Sequence, residues 1–423
     1  MDTILVSLLE YLDGSPTSSH TGALSAAFLS ENGFERVNPE DAWDLLPGGR
    51  YYTMYSPSTL AAFVMGAKKP SDTGFRITGA HTDAPGLQLK SAPYSFREGL
   101  ATLGIEVYGG PLFSTWFDRD LGVAGKAVTR EGRVVLYSIR EPLLRIASPA
   151  IHLNREVNKK GFRANPESEM HPIFATVDDY PAFKKAVADS AGLCPDDLAF
   201  FSAELVSTER AVLAGVNREF LAASRIDDIA SCHAALNALA QVTKPESTAV
   251  AILFDNEEVG SRTTAGAAGP FLETLLERIS AGREEYFRAV TKSVMVSADC
   301  AHAVHPDWAG MHSQQSRPRL NGGPAVKHSV MQNYATCLET GAYFARCAGK
   351  AGVTLQEFTG RTDALAGSTI GPITASRTGI PTVDVGNPML AMHSIRETSG
   401  AHDHRKMIDC MRMHMSSEVP FKV

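Results

Sequence analysis

The sequence has few features of a secreted, disulfide-stabilised protein. Its 423 residues include only six cysteines, and no two of them form a CxxC pair. A chain of this length can bury a sizeable core without disulfide bonds, so we expect reduced thiols and a cytoplasmic location. The six are Cys194, Cys232, Cys300, Cys337, Cys347 and Cys410.

Long apolar runs are also missing. A membrane-spanning helix needs about 20 apolar residues, whereas the run at residues 381–392 is shorter and contains Asp384. The apolar run at the N-terminus is interrupted by Glu10 and has no basic region before it, so we expect no signal peptide. Both absences argue against a membrane as a partner.

Clustered positive charge is absent as well. The formal charge is −7 at pH 7, and no stripe of lysine and arginine occurs. Phosphate binding requires clustered cations, which argues against nucleic acid as a partner. The content of 44% hydrophobic and 21% charged residues is ordinary for a globular protein and predicts no long disordered tract.

The apolar pattern that is present indicates an α/β fold. Helical spacing at residues 4–12 and a second candidate at 18–31 predict two helices, and two apolar, aromatic runs then predict paired strands. Further short apolar runs predict buried strands at residues 75–80, 249–254, 294–298 and 382–385. We expect helices between them at 229–242 and 329–347. This alternation predicts a mixed, largely parallel sheet covered by helices.

One long segment interrupts this alternation. Residues 91–212 contain strand-like pieces, such as 102–107 and 133–139, instead of alternating strands and helices. We interpret this segment as an inserted, mainly β domain. Residues 1–90 and 213–423 then form a discontinuous catalytic domain.

Polar residues follow three of the predicted strands directly. His81 follows the run at 75–80, Asp255 follows 249–254, and Asp299 follows 294–298. In open α/β sheets, ligands bind outside the carboxyl ends of the strands. Polar residues that are distant in sequence are therefore predicted to share one site.

The residue types near these positions are suited to metal chemistry. Asp227 precedes a predicted helix, where it could cap the helix or bridge two cations about 3.5 to 4 Å apart. Adjacent Glu257 and Glu258 suit a division in which one is a ligand and the other moves a proton. Together with His81 and His393 they supply N and O ligands without thiolates, which is typical of catalytic zinc sites, with cobalt and manganese as alternatives.

Six motifs occur in order along nearly the whole chain, and each is at least six residues long. They are residues 79–86 (GAHTDAPG), 115–121 (TWFDRDL), 255–261 (DNEEVGS), 301–306 (AHAVHP), 367–372 (GSTIGP) and 392–397 (MHSIRE). Together they resemble the aspartyl aminopeptidase family of dinuclear zinc metallopeptidases. The resemblance implies a bacterial metalloaminopeptidase with a zinc-peptidase-like catalytic domain and an inserted dimerisation domain.

The resemblance also implies a ligand set for two zinc ions per subunit. His81, Asp227 and Asp299 would hold one ion. Asp227, Glu258 and His393 would hold the other, so that Asp227 is the bridging ligand.

Three further features of the centre follow from the resemblance. Glu257 would be the general base that activates a metal-bridging water and later protonates the departing amine. Asp83 would orient the His81 ring without binding the metal itself. We also predict a cis peptide bond between Asp227 and Asp228.

The resemblance implies a pocket for the first side chain of the substrate. His302, His305 and Lys327 would line it, and the ammonium of Lys327 would pair with an N-terminal Asp or Glu of the substrate. Residues 328–332 depart from the pattern of the acid-preferring members, and other members favour aliphatic residues. An acidic preference is the prediction, with the aliphatic one left open.

Assembly is a further implication of the resemblance. His152, in the inserted domain, would reach the active site of a neighbouring subunit and stabilise the developing oxyanion. The subunits would form dimers through the inserted domain and then a tetrahedral dodecamer whose interior admits peptides.

Two other functions remain open from the sequence. An amidase or deacylase acting on N-acyl compounds would use the same ligands and differ in the pocket. A non-catalytic shell protein would keep the fold but lose a ligand or the base, and none is lost here. A serine or cysteine nucleophile is disfavoured because no GxSxG motif occurs and because Cys300, although it follows Asp299, is equally consistent with buried packing.

Overall fold

The computed structural model describes residues 2–364 and 367–418. The α-helices are α1 (Thr3–Gly14), α2 (Ser18–Glu31), α3 (Pro70–Thr73), α4 (Val157–Lys160), α5 (Pro166–Glu169), α6 (Tyr180–Ser190), α7 (Ile226–Ala240), α8 (Phe271–Ile279), α9 (Arg283–Val290), α10 (Leu338–Ala351), α11 (Ile370–Thr378) and α12 (Ala401–Met415). No helix within these residues is both long enough and apolar enough to cross a lipid bilayer.

The β-strands belong to three sheets. They are β1 (Glu35–Arg36), β2 (Arg50–Met54), β3 (Leu60–Val64), β4 (Phe75–His81), β5 (Gly86–Arg97), β6 (Leu100–Tyr108), β7 (Leu121–Thr129), β8 (Val134–Leu144), β9 (Ile173–Ala175), β10 (Leu198–Phe201), β11 (Glu204–Ser207), β12 (Val212–Ala214), β13 (Phe220–Ala223), β14 (Thr248–Phe254), β15 (Val294–Ala298), β16 (Ala301–His302), β17 (Ala325–His328), β18 (Gln356–Thr359), β19 (Thr382–Gly386), β20 (Pro388–Leu390) and β21 (Glu397–Gly400).

The main sheet has nine strands in the order β1-β2-β3-β14-β4-β15-β19-β17-β18. Its four central strands, β14, β4, β15 and β19, run parallel, while β3 pairs antiparallel with β14 and β17 antiparallel with β19. The predicted mixed, largely parallel sheet is confirmed. The four buried strands predicted from apolar runs are also confirmed, because they correspond to β4, β14, β15 and β19.

Helices cover both faces of this sheet, and β14 is apolar from Ala249 to Phe254 for this reason. Ala249, Ala251 and Leu253 pack into a core with α1, α7 and α12. Val250 and Ile252 point the other way, into a core with α8 and α9. A strand buried on both faces has no polar alternation, which is why the sequence showed a continuous apolar run.

The carboxyl ends of the central strands lie side by side. β4 ends at His81, and β15 is followed by Asp299. At the end of β19, a Cβ on Gly386 would lie only 2.0 Å from the main-chain oxygen of Asp299. Only glycine permits this approach, which holds the Asp299 backbone against β19.

The second sheet is formed by strands from β5 to β11. Its order is β10-β7-β11-β5-β6-β9, with β8 paired to β7, and every pair is antiparallel. It has a core of its own, which includes Leu103, Val123 and Leu205, covered by α6 through Phe183 and Val187.

Two features differ from the sequence prediction. A third sheet, β12-β13-β21-β20-β16, was not predicted because its strands are only two to four residues long. The helix predicted at 329–347 is wrong in its first part, since α10 begins at Leu338. Val330 and Met331 are 99% and 82% exposed, and the N–H of Ala335 donates to the Asp384 carboxylate, so this segment is an exposed turn followed by an anchored loop.

Candidate metal centre

Two groups of ligating side chains converge at the carboxyl ends of the main sheet. The ligand atoms of His81, Asp227 and Asp299 lie within 4.8 Å of one another, and so do those of Asp227, Glu258 and His393. Asp227 belongs to both groups. These are the two sets that the sequence resemblance implied for two ions.

Asp227 is held at the start of α7 by an unusual backbone. The peptide bond between Asp227 and Asp228 is cis, which confirms the sequence prediction, and Asp227 has the non-helical angles φ −82 and ψ 106. Both side chains are buried. The Asp228 carboxylate accepts the N–H of His81 at 3.1 Å, which links α7 to the end of β4.

Both imidazoles have the orientation of metal ligands. Nδ1 of His81 lies 3.0 Å from the main-chain oxygen of Asp83, and Nδ1 of His393 lies 3.0 Å from that of Gly110. A carbonyl oxygen only accepts, so each Nδ1 carries the proton and each Nε2 keeps its lone pair. Both lone pairs are therefore available to a cation.

The spaces between the ligand atoms fit zinc. Nε2 of His81 is 3.8 Å from Asp227 Oδ1, while Nε2 of His393 is 3.8 Å from Asp227 Oδ2 and 3.5 Å from Glu258 Oε2. Two ligand atoms on one tetrahedral zinc are separated by about 3.4 Å, given zinc–ligand bonds of roughly 2.1 Å. Asp227 Oδ1 is buried and has no hydrogen-bond partner among the described residues, and a cation would supply one.

The carboxylates of the centre are electrostatically unfavourable without cations. Desolvation and the nearby Asp299 raise the pKa of Asp227. Desolvation and Asp227 raise the pKa of Glu258 to about 10. Bound divalent cations reverse both effects because they stabilise the ionised carboxylates.

Glu257 lies at the edge of the centre, next to Glu258. Its carboxylate is close enough to His81 and Glu258 to belong to one cluster of ligand atoms, within 4.8 Å. Desolvation raises the pKa of Glu257, His81 lowers it and Asp299 raises it, with a net shift to about 8. Glu257 belongs to neither of the two groups that share Asp227.

Asp83 supports this edge of the centre through its carboxylate. The carboxylate accepts the N–H groups of Glu257 and Glu258, both at 3.1 Å, and the hydroxyl of Tyr108 at 2.8 Å. The nearer acceptor for His81 Nδ1 is the Asp83 main-chain oxygen, since the carboxylate is 3.4 Å away. Tyr108 was missed from the sequence because nothing in its segment distinguishes it from other strand tyrosines.

A second supporting carboxylate also escaped the sequence analysis. Glu397 is buried and accepts the N–H of His393 at 2.7 Å and the N–H of Asp227 at 3.1 Å. It therefore fixes the backbones of two ligand residues at once. Its place as the last residue of the motif 392–397, four residues after His393, was the available signal.

The three residues assigned to the substrate pocket lie in two layers. His302 and His305 line an open cavity of about 340 Å³ together with Tyr334 and Met392. Lys327 is buried behind it, with Nζ 3.2 Å from Asp299 Oδ1 and 5.4 Å from the centroid of the Tyr334 ring. Burial lowers the pKa of Lys327 and Asp299 raises it, and the net shift is upward.

His152 is not brought to the centre of its own chain. It is exposed, within the turn at residues 151–153. No hydrogen bond or ion pair within residues 2–364 and 367–418 joins it to a ligand residue.

Comparisons with known proteins agree with this geometry. Residues 11–414 match the model of the family described as Aminopeptidase I zinc metalloprotease (M18). A relative from Stutzerimonas stutzeri, called probable M18 family aminopeptidase 2, is 40% identical over 429 residues, which cover 99% of this chain and 100% of the relative.

Solved structures are similar over nearly the whole chain. The cryo-EM structure of the Ape4 and Nbr1 complex has a TM-score of 0.93 and 32% identity, covering 98% of this chain and 85% of that chain. The S. cerevesiae mApe1 dodecamer has a TM-score of 0.84 and 25% identity, covering 97% and 96%. With a family match across the chain and a metal centre of N and O ligands, this protein belongs to the M18 family of zinc metalloproteases and is a metal-dependent aminopeptidase.

Proposed function

We propose that this aminopeptidase holds two zinc ions per subunit and removes single N-terminal residues, preferably Asp or Glu, from peptides. The observation that carries the proposal is Asp227. Its two carboxylate oxygens each face the Nε2 of a different histidine at 3.8 Å, and Oδ1 has no hydrogen-bond partner among the described residues. Such a carboxylate suits a bridge between two cations.

The proposed ligands are those of the two converging groups. His81, Asp227 and Asp299 would hold one ion, and Asp227, Glu258 and His393 the other. Zinc bound there would polarise the scissile carbonyl and lower the pKa of water towards neutrality, and cobalt or manganese could substitute. The supporting residues Asp83 and Glu397 would keep the ligands in position.

Glu257 is the proposed general base. Its main-chain N–H is fixed to Asp83 at 3.1 Å, while its carboxylate stays outside the two ligand groups. It would take a proton from the attacking water and deliver it to the departing amine, as microscopic reversibility permits. The free α-amino group of the substrate would be held by the remaining carboxylate charge around it.

An acidic first residue is favoured by the charge of the pocket. His302 and His305 line the cavity, and Lys327 lies behind Tyr334. Of the lining residues that the structure describes, none is Asp or Glu. Desolvation and the neighbouring Lys327 lower the pKa of His302 to about 4, so the His302 ring is neutral at pH 7. The positive charge near this pocket therefore comes from Lys327, which forms an ion pair with Asp299.

Assembly and location form part of the same proposal. The S. cerevesiae relative was solved as a dodecamer, and this chain matches it over 97% of its length. We infer dimers through the inserted domain, residues 91–212, which combine into a tetrahedral dodecamer in the cytoplasm. His152, exposed on that domain, would then reach the active site of a neighbouring subunit.

Metal depletion and restoration test the activity directly. The protein would be treated with a chelator, reloaded with Zn, Co or Mn, and assayed with Asp-, Glu-, Leu- and Ala-anilides, while metal per subunit is counted by mass spectrometry. We expect two ions per subunit and faster release from Asp and Glu. One ion per subunit, or faster release from Leu, would contradict the corresponding part of the proposal.

Two variants and a blocked substrate distinguish the alternatives. Glu257→Gln should bind metal normally and lose at least about 10³-fold in kcat, whereas Glu40→Gln, an exposed control, should match the wild type. N-acetylated peptides should not be cleaved. Faster cleavage of N-acyl compounds than of free-amine peptides would favour an amidase or deacylase instead.

Subunit mixing tests the role of His152. His152→Phe and Glu257→Gln are each expected to be inactive, and oligomers reassembled from both should regain activity if His152 acts on a neighbouring subunit. Full turnover of assembled His152→Phe alone would exclude that role.

A further inference from the structure

A second cavity lies on the far side of the wall that supports Glu257 and Glu258. It has a volume of about 270 Å³ and is formed by the start of α2, the end of β4, strands β7 and β11 of the antiparallel sheet, and the loop after β14. None of the described residues that line it is a proposed metal ligand. The aminopeptidase reaction as described above makes no use of this cavity.

Three charged side chains line the cavity without a direct hydrogen bond or ion pair. Arg225, Lys126 and Glu204 all line it, and none of their charged ends makes a hydrogen bond or an ion pair with any residue that the structure describes. Arg225 has φ 57, a left-handed conformation that is uncommon for a residue with a side chain. Desolvation raises the pKa of Glu204 to about 7, and Arg225 attracts Glu204 at longer range without a direct ion pair, so both charged ends remain accessible to a ligand.

The start of α2 supplies a further site for negative charge. Its first turn contains no acidic residue, and Thr17 Oγ1 accepts the N–H of His20 at 3.4 Å and shares a hydrogen bond with the ring Nδ1 of His20 at 2.8 Å. The N–H groups of Ser18 and Ser19 have no acceptor within the described part of the chain. A helix N-terminus with free N–H groups attracts anions, and Arg225 is close enough to contribute to the lowered pKa of His20, after desolvation.

Negative charge also lines the cavity, and part of it lies beside the start of α2. Asp255 lines the cavity and already accepts hydrogen bonds from Ser58 at 2.5 Å and Ser18 at 3.3 Å, whereas Glu204 has no such donor in the described residues. A simple anion would be repelled by these carboxylates, and a simple cation by Arg225 and Lys126. A zwitterion satisfies both sets of charges.

We propose that this cavity is a binding site for a free α-amino acid, separate from the metal centre. The carboxylate of the ligand is held by the two cations that line the cavity, Arg225 and Lys126, and its ammonium group is held by Glu204. The volume is slightly below the range of about 300 to 1,000 Å³ for pockets that take drug-sized ligands, which suits a small molecule. Free amino acids are what an aminopeptidase releases, so the ligand is present wherever the enzyme works.

Equilibrium dialysis on the zinc-loaded enzyme tests the proposal. The metal centre would first be saturated with a hydroxamate inhibitor, and binding of radiolabelled glutamate and leucine would then be measured. We expect one amino acid per subunit in addition to the inhibitor. N-acetyl-glutamate, which lacks the ammonium, and a primary amine, which lacks the carboxylate, should each bind at least about tenfold more weakly.

A pair of matched variants locates the site. Glu204→Gln should weaken amino-acid binding at least about tenfold without changing inhibitor binding, whereas Glu131→Gln, in the exposed turn between β7 and β8, should behave as the wild type. Absence of a second amino acid per subunit would overturn the proposal. Equal binding of N-acetyl-glutamate would indicate an anion site, equal binding of the amine would indicate a cation site, and an unaffected Glu204→Gln would locate the ligand elsewhere. Each of these results contradicts the proposal, and the comparison of ligands on the wild type needs no variant to fold.

Discussion

Two buried aspartates close to the ends of the main sheet have opposite surroundings. Asp384, on β19, accepts hydrogen bonds from the hydroxyl of Thr369 and the N–H of Ala335, both at 2.6 Å. Asp227, at the start of α7, has one oxygen without a hydrogen-bond partner among the described residues. Burial alone therefore does not distinguish a structural carboxylate from a ligand.

The difference lies in what surrounds the charge. Desolvation raises the pKa of both carboxylates, but hydrogen-bond donors counteract this at Asp384, while Asp299 adds repulsion at Asp227. Hydrogen-bond donors of the protein satisfy a carboxylate whether or not an ion is bound. A carboxylate that faces two imidazole lone pairs and another carboxylate is satisfied only by cations.

The largest expected effect is at Asp227. Asp227→Asn replaces one ligating oxygen by an amide nitrogen, so we expect a loss of at least about 10³-fold in kcat/KM and fewer metal ions per subunit. In the presence of a chelator, the variant should unfold at the same or a higher temperature than the wild type, because a buried charge has been removed. If metal-free Asp227→Asn were much less stable than the metal-free wild type, the contrast between an unsatisfied Asp227 and a satisfied Asp384 would be wrong.

A smaller effect is expected at Glu397, which supports two ligand residues from behind. Glu397→Gln turns one acceptor into a donor that faces an N–H group, so zinc affinity should fall by about 10- to 100-fold. Excess zinc should restore most of the activity, which is measured by titrating zinc into the metal-free enzyme. If excess zinc did not restore the activity, Glu397 would have a role other than positioning the metal ligands.

Substitution of Asp384 should reduce stability and leave metal binding and catalysis unchanged. Asp384→Asn places an amide group where two donors converge, and we expect a loss of about 1 to 3 kcal/mol in the free energy of unfolding, measured with urea. At a temperature where the variant is folded, its metal content and kcat should match the wild type. Loss of metal from Asp384→Asn would show that Asp384 also supports the metal centre and is not purely structural.

The last effect, similar in size to that at Asp384 but dependent on pH, concerns a buried histidine. Desolvation, and then Arg76, lower the pKa of His414 to about 3, and the ring is hydrogen-bonded to Tyr343 and to the Ile77 oxygen. Below pH 6.5 the unfolded chain binds a proton that the folded chain excludes, so stability is complete above that pH and falls as the pH decreases.

This loss should amount to about 2 kcal/mol between pH 7 and pH 5. Urea unfolding with chelator present would compare the wild type with His414→Gln, which cannot titrate and should have a shallower dependence on pH. Identical slopes would contradict the assignment.

The sequence predicted the central strands well because their residues are buried on both faces, so the apolar runs were continuous. It predicted His81 and Asp299 as site residues because they directly follow such strands. It failed for the first part of the helix predicted at 329–347, where Met331 had helical spacing with Tyr334 and Leu338 but faces solvent. It also failed for Tyr108, since the hydrogen bond to Asp83 joins residues 25 positions apart, one at the end of β6 and the other in the loop after β4.

The amino-acid sequence by itself determined the family, the largely parallel sheet and the residues able to ligate zinc, because apolar periodicity and contiguous motifs are local properties of the chain. The tertiary structure alone decided which carboxylates remain unsatisfied. It assigned Asp384 to hydrogen-bond donors and Asp227 to two imidazoles, and it placed Glu204 and Arg225 in one cavity without a direct ion pair. The physical reason is that desolvation and hydrogen bonding depend on neighbours distant in sequence.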